Sequence, residues 1–527
     1  MSVGSVVLDV VLALGIGVAF IAQMLRWLRV LQREHYEPGS MSRFLGRWSS
    51  PRVSSATSVE RSKKSRPVTL THLLVLALVV SVALRADVAA VLISIIYGVV
   101  CPVGLSIKGR TSKLRWTRRL TTVSVLVTGA AVLMGVGGVF TPRPWLLALA
   151  MVWAVPVLLD LGARVLKPYE HRRSQNFVDQ AVERLRRVRP RIVAITGSYG
   201  KTSTKNHLAD LLGGSDGVVA SPRSFNNRAG LSRAINENLA DGTRVFIAEM
   251  GTYGAGEIAE LCSWCPPEIA VVTAIGPVHL ERMKSLDIIE RAKFEITEKA
   301  RTVIVNIDDS RLARWPENLQ GAGKRVRTAG SKNPSASVQV RDRGEDGEWE
   351  VLVDGVKAAT MSQVQGVQPT NLACAIAAAL ELGVGPDVIA ARLARVTSVE
   401  NRSNVVTAAS GVMVIDDTFN ANPASAAAAI ALLTSLPLSG RRVVVTPGLI
   451  ELGSDQHGEN ISLAQKVAAN GAELVVVGRT NAKTLQIGYE KPVRRFDTRD
   501  EAVAWVRSAL VVGDGVLYLN DLPDHYP

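Results

Sequence analysis

Five apolar runs in the first third of the chain constrain its fold most, because so much apolar sequence must be buried in lipid or in a core. The first run, residues 3–25, carries a single charge, Asp9, and is long enough to cross about 30 Å of hydrocarbon. No small-residue cleavage site follows it, so we expect an anchor and not a removed signal peptide. Four further runs lie at 69–84, 88–107, 120–140 and 145–163. The pattern predicts a membrane region of about five helices over residues 1–165.

The basic residues between these runs predict the orientation of the membrane region. Residues 26–67 contain ten Lys or Arg and three Glu, and residues 106–119 contain six Lys or Arg and no acid. Because short basic loops stay on the cytoplasmic side, both segments are predicted to lie inside. An odd number of spans then places the N-terminus outside and the chain from Arg164 onward in the cytoplasm. The sequence therefore predicts a multi-pass protein of the cell membrane.

Charge is divided unevenly along the chain. Residues 1–191 have a net charge of +18, whereas the remaining 336 residues have a net charge of −4. This disfavours a basic nucleic-acid-binding globule, and no nucleic-acid partner is expected. Residues 166–190 predict a basic, helical juxtamembrane linker whose arginines either contact anionic lipid or face solvent. Asp9 and Asp160 are either functional intramembrane carboxylates or structural groups near the interface.

A phosphate-binding motif follows the linker. Residues 191–197 (RIVAITG) predict a buried strand, the next turn has the sequence GSYGKT (197–202), and KNHLADLL predicts a helix. Such a turn points backbone N–H groups and a helix N-terminus toward phosphate, with its lysine at the β- and γ-phosphate oxygens and its hydroxyl on Mg²⁺. The usual eight-residue P-loop has glycine where Ile195 stands, so this is the shorter G-x-x-G-K-T form.

Further blocks complete a pattern that resembles the Mur ligase family, and within it the enzymes that add D-alanyl-D-alanine. The blocks are SFNNRAG (224–230), FIAEMGTYGAGEIAEL (246–261), VVTAIGPVHLERMKSLDIIERAKFEI (271–296), VNIDDS (305–310) and VIDDTFNANPAS (414–425). Their order and spacing carry the resemblance, which covers residues 190–527 and not the membrane region. It implies two α/β domains behind the α-helical membrane region: a P-loop central domain at 191–397 and a Rossmann-like C-terminal domain at 398–527.

The resemblance also implies roles for individual residues. Those implied to bind ATP are Gly197, Ser198, Gly200, Lys201, Thr202, Ser203, Asn306, Arg402 and Asp417. Those implied to contact substrate are Asn226, Asn227, Asn420 and Asn422. The implied ligands of Mg²⁺ are Thr202, Glu249, His279 and a carbamate formed on Lys293. The implied catalytic set is Lys201, Glu249, His279 and Lys293.

Simpler interpretations of three of these residues stay open at the level of sequence. Glu249 ends the apolar stretch VFIAE, at the sheet edge where ligands bind in parallel sheets, and a solvated strand-end carboxylate is its alternative. His279 follows another apolar strand, and a capping or packing histidine is its alternative. Lys293 lies in the charged segment RAKFE, where an exposed helical lysine is the default expectation.

The chain departs from the family pattern in its C-terminal part. The family segment Gly-Asp-Met-Leu-Glu-Leu-Gly reads PGLIELG (447–453), so its aspartate is missing. Residues 513–523 lack the family's Lys-Gly-Ser. Because this part of a Mur ligase helps to receive the amino compound, the resemblance does not identify that compound.

The activity implied by the resemblance is ATP-dependent formation of an amide bond between a carboxylate and a small amino compound, through an acyl phosphate. Because membrane helices stand where the family carries its UDP-sugar-binding domain, we expect a membrane-anchored ligase of cell-wall or envelope-polymer synthesis. Its carboxylate acceptor is then lipid-linked or polymeric. The ordinary peptidoglycan precursor step, performed at the membrane, is a second hypothesis. A membrane-tethered ATP-binding sensor or transporter component without ligase activity is the alternative from another class.

Overall fold

A computed structural model describes residues 3–49, 67–107, 113–138, 140–214, 217–222, 225–342, 347–364, 366–396, 404–418, 422–521 and 526. Helices alone form the N-terminal part of this described chain. They are α1 (Val3–Arg33), α2 (Ser40–Ser49), α3 (Pro67–Ala83), α4 (Asp87–Val100), α5 (Arg118–Gly138) and α6 (Pro144–Val188). α1 packs against α4 and α6, α5 packs against α6, and α3 packs against α4. We call this assembly the helix bundle.

The helices coincide with the five apolar runs, but two of them are short. α1, α5 and α6 are each long and apolar enough to cross a membrane, whereas α3 and α4 are apolar helices of 17 and 14 residues. α4 ends at Val100, before the end of the run at 88–107, because Cys101 precedes Pro102 and is extended. At 1.5 Å per residue α4 covers about 21 Å, less than the hydrocarbon thickness. Five spans therefore stay a prediction.

Polar side chains buried in the helix bundle bind backbone groups that the helices leave unpaired. Gln23 and Arg26 of α1 donate hydrogen bonds to carbonyl oxygens at the C-terminal end of α4. The carboxylate of Asp160 in α6 accepts hydrogen bonds from the backbone N–H groups of Met41 (3.1 Å) and Ser42 (2.9 Å) at the start of α2. These contacts agree with the structural interpretation of Asp160, since a carboxylate stabilises a helix N-terminus.

α6 joins the helix bundle to the next domain as a single helix of 45 residues. Ala181 and Leu185, near its C-terminal end, are buried in the core of that domain. Arg184 donates a hydrogen bond to a backbone carbonyl of the domain (2.9 Å), and Arg187 forms an ion pair with Asp241. The predicted linker at 166–190 is therefore helical through Val188. Arg184 contacts the central domain, whereas the two alternatives were contact with anionic lipid and exposure to solvent.

The second domain contains an extended sheet with helices on both faces. Its elements are β1 (Arg191–Thr196), α7 (Lys201–Leu211), β2 (Val218–Ala220), α8 (Arg228–Asn238), β3 (Val245–Glu249), α9 (Glu257–Trp264), β4 (Ile269–Val272), α10 (Leu280–Met283), α11 (Leu286–Phe294), β5 (Thr302–Asn306), α12 (Trp315–Gly321), β6 (Arg325–Gly330), β7 (Val338–Asp342), β8 (Glu348–Val353), β9 (Val356–Ser362), α13 (Pro369–Glu381) and α14 (Pro386–Leu393).

Strand β1 occupies the interior of this sheet. The order in the described residues is β2-β3-β1-β4-β5-β6-β7-β8-β9, parallel up to β7 and antiparallel beyond it. Ile192 and Ala194 contribute to one core, and Val193 and Ile195 to the core on the other face, as the alternation of a strand requires. The carboxyl ends of β1, β3 and β4 therefore meet at one edge, where the GSYGKT turn begins.

The C-terminal domain has a second, smaller sheet. Its elements are β10 (Asn404–Thr407), β11 (Met413–Asp417), α15 (Pro423–Ser435), β12 (Arg442–Thr446), α16 (Gln456–Ala469), β13 (Glu473–Val477), α17 (Ala482–Tyr489), β14 (Arg494–Phe496), α18 (Arg499–Ala509) and β15 (Gly515–Leu519). The order is β10-β11-β15-β12-β13-β14, and β10 is antiparallel to β11 while the other pairs are parallel. The predicted α/β class of both domains is confirmed, and both sheets are mixed.

A buried histidine in α7 predicts acid sensitivity of the fold. Both ring nitrogens of His207 lack a hydrogen-bond partner among the described residues, and burial lowers its pKa from 6.5 to about 4. A neutral ring is thus favoured in the folded state, so its stabilising contribution is present above pH 6.5 and is lost as the pH falls toward 4. We expect the free energy of unfolding to fall by about 2 kcal/mol between pH 7 and pH 5 from this group alone.

The matched variant is His207→Leu, which fills this buried site with an apolar side chain and removes the titrating group. Chemical denaturation in detergent at pH 7 and pH 5 measures both proteins. Between pH 7 and pH 5 the free energy of unfolding should fall by about 2 kcal/mol less in the leucine variant than in the unaltered protein. Equal pH dependence in the two proteins would show that His207 finds a partner for its proton in the folded state.

Candidate active site

The turn between β1 and α7 has the backbone of a phosphate-binding loop. Gly200 has a left-handed backbone (φ 82°) immediately before α7, and a Cβ at this position would overlap the side chain of Asn371. A Cβ on Gly197 would overlap Thr273 Oγ1. Glycine is therefore required at both positions. The turn ends in the N-terminus of α7, whose unpaired N–H groups attract anions.

The side chains of this loop are fixed by hydrogen bonds. Lys201 Nζ donates to the carbonyl oxygen of Gly197 at 2.6 Å. Ser198 Oγ donates to the carbonyl of Gly276 (3.0 Å) and accepts from its N–H (2.9 Å). Ser203 is buried in the first turn of α7. The ATP-binding residues predicted in this segment are thus brought together at the end of β1.

A buried carboxylate lies beside the loop. Glu249 ends β3 and is only 3% exposed. Its Oε2 accepts hydrogen bonds from Thr202 Oγ1 (3.0 Å) and Lys205 Nζ (3.1 Å), and its Oε1 accepts one from Asn226 Nδ2 (3.2 Å). The interpretation of Glu249 as a solvated strand-end residue is therefore wrong. Three polar side chains from neighbouring elements thus converge on this carboxylate, an arrangement typical of a ligand site.

The neighbours of Glu249 keep it ionised. Burial by itself raises the pKa of this carboxyl group, but the charges of Lys205 and Lys201 and the hydrogen bonds from Lys205 and Asn226 outweigh burial, so the pKa lies below its usual value. Lys205 is 2% exposed and was not predicted from the sequence as a site residue. It follows Lys201 by one helical turn, and this i,i+4 spacing is the signal that could have identified it.

His279 connects the central domain to the C-terminal domain. Its backbone is left-handed (φ 54°) at the start of α10, and its side chain forms no capping hydrogen bond. Ring Nδ1 lies 2.5 Å from Glu451 Oε2, and the ring of Tyr253 packs against it with a centroid distance of 4.7 Å. Among the described residues no hydrogen bond joins His279 to Glu249, and no cluster of three or more His, Cys, Asp or Glu side chains is found that could hold a metal.

Lys293 is buried in α11. It is 3% exposed, and its amine has no hydrogen bond or ion pair within the described part of the chain. Burial, and then the nearby charge of Lys201, hold the pKa of Lys293 well below its usual value. The interpretation as an exposed surface lysine is therefore wrong. A neutral amine is the form of lysine that reacts with CO₂, so this environment suits a carbamate.

Comparison with known proteins identifies the family. The family description "Mur ligase middle domain" matches residues 195–379, and "Mur ligase, glutamate ligase domain" matches residues 401–519. A UDP-N-acetylmuramoyl-tripeptide--D-alanyl-D-alanine ligase of Mycobacterium tuberculosis is 32% identical over 358 residues, which is 62% of this chain and 69% of the relative. The chain belongs to the Mur ligase family.

Solved Mur ligases share its fold. MurF from Acinetobacter baumannii superposes with a TM-score of 0.58 at 23% identity, over 66% of this chain and 77% of that protein. MurF from Thermotoga maritima, solved in complex with ADP, superposes with a TM-score of 0.57 at 24% identity, over 66% and 80% of the two chains. Mur ligases bind ATP and form amide bonds, and this chain is an enzyme of that class. Residues before 195, including the helix bundle, lie outside the family match.

Three asparagines predicted to contact nucleotide or substrate shape the loops of this Mur ligase. Asn306 Nδ2 donates to the carbonyl of Thr273 (2.7 Å), which ties the end of β5 to that of β4. Asn227 accepts a hydrogen bond from Gly230 N (3.0 Å) and caps α8. Asn422 caps α15 in the same way. All three fix backbone near the ends of the strands, where ligands bind in such sheets.

Asp417 is a buried acid of the C-terminal domain, which lies against α10. Asp417 ends β11 and is 4% exposed, and its backbone carbonyl accepts a hydrogen bond from Asn520 N (3.0 Å). Gly453 packs against Leu280 next to His279. Arg402 and Asn420, the two other predicted contacts in this domain, lie outside the described residues.

Proposed function

We propose that this Mur ligase is a membrane-anchored enzyme of cell-wall or envelope-polymer synthesis. It joins a carboxylate acceptor to a small amino compound through an acyl phosphate. The observation that carries the proposal is the convergence of Thr202, Lys205 and Glu249 beside the phosphate-binding loop, in a chain that begins with an apolar helix bundle. The relatives are named for joining UDP-N-acetylmuramoyl-tripeptide and D-alanyl-D-alanine. We propose substrates of the same kind here, a muramoyl-peptide carboxylate and an amino compound.

The outer surface of the helix bundle supports membrane anchoring. Large apolar side chains are exposed on every apolar helix of the bundle, for example Leu14 of α1, Leu76 of α3, Leu92 of α4, Leu133 of α5 and Leu161 of α6. Water-soluble proteins rarely expose contiguous apolar surface on this scale, whereas lipid covers it without cost. Gln23 and Arg26 face the bundle interior, as polar residues within a membrane do.

We divide the chain into a membrane region (1–165), a linker (166–190), a central domain (191–397) and a C-terminal domain (398–527). The family matches at 195–379 and 401–519 support the last two. The orientation does not depend on the short helices. The long helices α1, α5 and α6 give three crossings. If α3 and α4 both cross, the number is five, and if they enter and leave on one side it stays three, so it is odd in either case. The N-terminus is then outside and the ligase domains are cytoplasmic.

Cysteine labelling tests this topology. We expect a membrane-impermeant maleimide to label Ser2→Cys in intact cells and to label Ser174→Cys only after the membrane is opened. The four native cysteines are all buried, so their background labelling should be low. Labelling of both positions from the same side would contradict the odd number of crossings. Labelling of Ser174→Cys in intact cells would in addition place the ligase domains outside, away from the cytoplasmic supply of ATP.

The donors at the loop fit Mg²⁺. This ion prefers oxygen ligands and is commonly held by one or two carboxylates together with water and substrate phosphates. Glu249 and Thr202 supply a carboxylate and a hydroxyl whose oxygens lie 3.0 Å apart. A carbamate on Lys293 would add a second anion, and His279 is proposed as a further contact. When bound, Mg²⁺ would neutralise negative charge on the transferred phosphoryl group.

The protein's own part in the reaction is to position the substrates and to neutralise negative charge on the phosphates. Lys201 and the N–H groups at the start of α7 would hold the γ-phosphate while an acceptor carboxylate oxygen attacks phosphorus and ADP leaves. The amine then attacks the carbonyl carbon of the acyl phosphate, loses a proton, and phosphate leaves as the amide forms. A sensor or transporter component without ligase activity is disfavoured, because ATP binding alone does not require both Glu249 and a buried Lys293.

Phosphate release by the full-length protein in lipid nanodiscs tests the proposal. With ATP and Mg²⁺ present, release should require both a muramoyl-peptide carboxylate and an amino compound such as D-alanyl-D-alanine. Mass spectrometry of the product should show the new amide bond. ATP hydrolysis that proceeds at the same rate with and without both substrates, and no amide product, would favour the sensor hypothesis.

A further inference from the structure

A cleft of about 630 Å³ lies between the helix bundle and the central domain. Its bundle side includes Arg43 of α2 and Lys167 of α6. Its other side includes Tyr253, Arg282 and Lys284 of the central domain. The volume falls within the range of small-molecule sites, which is about 300–1,000 Å³. We call it the junction cleft.

The position of the junction cleft links the membrane surface to the site of reaction. Lys167 follows the last apolar run, residues 145–163, by four residues, which places it where that run would leave the membrane. On the opposite wall, Tyr253 follows Glu249 by four residues. Tyr253 also packs against the ring of His279. A ligand that fills the cleft would thus extend from the lipid interface to the edge of the catalytic loop.

Unpaired cations line the junction cleft. Within the described residues, the side chains of Arg43, Lys167 and Lys284 have no hydrogen-bond or ion-pair partner. They come from three different elements of the fold, yet all border one space. Unpaired positive groups that converge in this way are typical of a site for carboxylate or phosphate.

Most of the acids in the lining are already engaged. Glu257 accepts a hydrogen bond from the backbone N–H of Tyr253 (2.8 Å), and Glu260 forms an ion pair with Arg228. The other two acids of the lining are Glu37 and Glu281, and Glu281 is itself engaged in an interaction. Four basic and four acidic residues line the cleft. Its preference for an anion therefore rests on the three cations that have no partner among the described residues, which outnumber the acids without one.

The two walls of the cleft are fixed to each other. Glu34, at the end of α1, has no more than 9% of its side chain exposed and forms an ion pair with Arg282 at 3.2 Å. The guanidinium of Arg282 also lies over the ring of Tyr253, 4.9 Å from its centroid. Together with the continuous α6, this ion pair holds the bundle and the central domain at a set separation.

We propose that the junction cleft binds the acceptor, and that the acceptor is an anion carried by a lipid of the same membrane. The proposal rests on the ligase function proposed above and specifies its substrate class. The cations near the bundle would bind the phosphates that join lipid and sugar, and the acceptor carboxylate would then point toward the loop beyond Tyr253. A soluble nucleotide-linked acceptor has no need of a site that begins at the membrane interface.

Two probes with the same carboxylate distinguish these acceptors. One is N-acetylmuramoyl-tripeptide linked through diphosphate to a polyprenyl chain, and the other is the same tripeptide linked to UDP. Their dissociation constants are measured with full-length protein in phosphatidylcholine nanodiscs. We expect the lipid-linked probe to bind at least about tenfold more tightly, because it shares the membrane with its site.

A charge-reversal pair tests whether the cleft is the site. Lys167→Glu/Lys284→Glu should weaken binding of the lipid-linked probe at least about tenfold, as expected when two charged contacts are lost. Arg172→Glu/Arg173→Glu makes the same change in charge on exposed residues of α6 outside the cleft and should leave binding unchanged. ATP affinity serves as the control for folding and should be the same in all three proteins.

Each other outcome has a defined meaning. Equal or tighter binding of the UDP-linked probe would overturn the lipid-borne acceptor, and equal effects of the two charge-reversal pairs would overturn the cleft as its site. Binding of neither probe, with ATP bound normally, would overturn the acceptor assignment and leave the ligase assignment standing. Failure of the unaltered protein to bind ATP would instead reject the proposed function.

Discussion

Lys201→Ala is expected to lower the rate of amide formation by at least about 10²–10³-fold, because the loop loses the cation that we propose to face the transferred phosphoryl group. Folding should be little affected. The amine of Lys201 donates a hydrogen bond to Gly197 O within its own loop, and the side chain is not part of a described hydrophobic core. Phosphate release with both substrates measures the rate, and thermal unfolding in detergent measures stability.

Two further variants sharpen this prediction. Lys201→Arg should not restore activity, since a planar guanidinium cannot replace a compact ammonium in a narrow backbone loop. Lys299→Ala removes an exposed lysine beyond α11 and should behave as the unaltered protein does. ATP turnover at the unaltered rate in Lys201→Ala would reject the assignment of this turn as the phosphate-binding loop.

The phosphate-binding loop could be predicted because its determinants are local. A run of apolar residues forms β1, and both glycines of the turn have a positive φ, which is a property of the turn itself. Glu249 could be placed at the same edge because it ends β3, a neighbour of β1 in the sheet. In both cases the residue follows or ends a parallel strand, and the carboxyl ends of neighbouring parallel strands lie at the same edge of a sheet.

Contacts between distant segments were not predictable in the same way. The ion pair of Lys205 with Glu249 depends on which face of α7 is turned to the sheet, and the contact of His279 with Glu451 joins residues 172 apart. Glu451 lies in the segment PGLIELG, in which the family's aspartate is missing. Comparison with the family pattern therefore pointed to the missing aspartate and not to Glu451, which makes the contact. Only the packing of the two domains reveals it.

The membrane region shows a different limit of sequence reasoning. Hydropathy located the apolar helices but overestimated the length of α4, where Pro102 ends the helix inside an apolar run. The sequence predicts a helical linker after the last apolar run, but it gives no sign that the end of α6 is buried in the core of the central domain. The junction cleft depends on that continuity, because the helix sets where the bundle stands relative to the catalytic edge.

Lys293→Ala is expected to lower amide formation by about 10²-fold or more while ATP affinity stays within about threefold of the unaltered value. The proposed carbamate forms when the neutral amine attacks CO₂ and loses a proton, which replaces a buried amine by an anion. This anion would help to position Mg²⁺ and would not contact the adenine or ribose. Arg291→Ala, an exposed residue of the same helix, is the matched control and should retain activity.

Chemical rescue separates a carbamate from a structural lysine. If Lys293 supplies an anion, acetate should partly restore the rate of Lys293→Ala, because a small carboxylate offers the same charge and two acceptor oxygens in the space that the side chain leaves. Chloride at the same ionic strength should not, since it has no oxygen donors for a hard cation. Full activity of the alanine variant, or electron density for a bare ammonium on Lys293 with ATP and Mg²⁺ bound, would reject the carbamate. The low pKa of this lysine would then reflect burial alone.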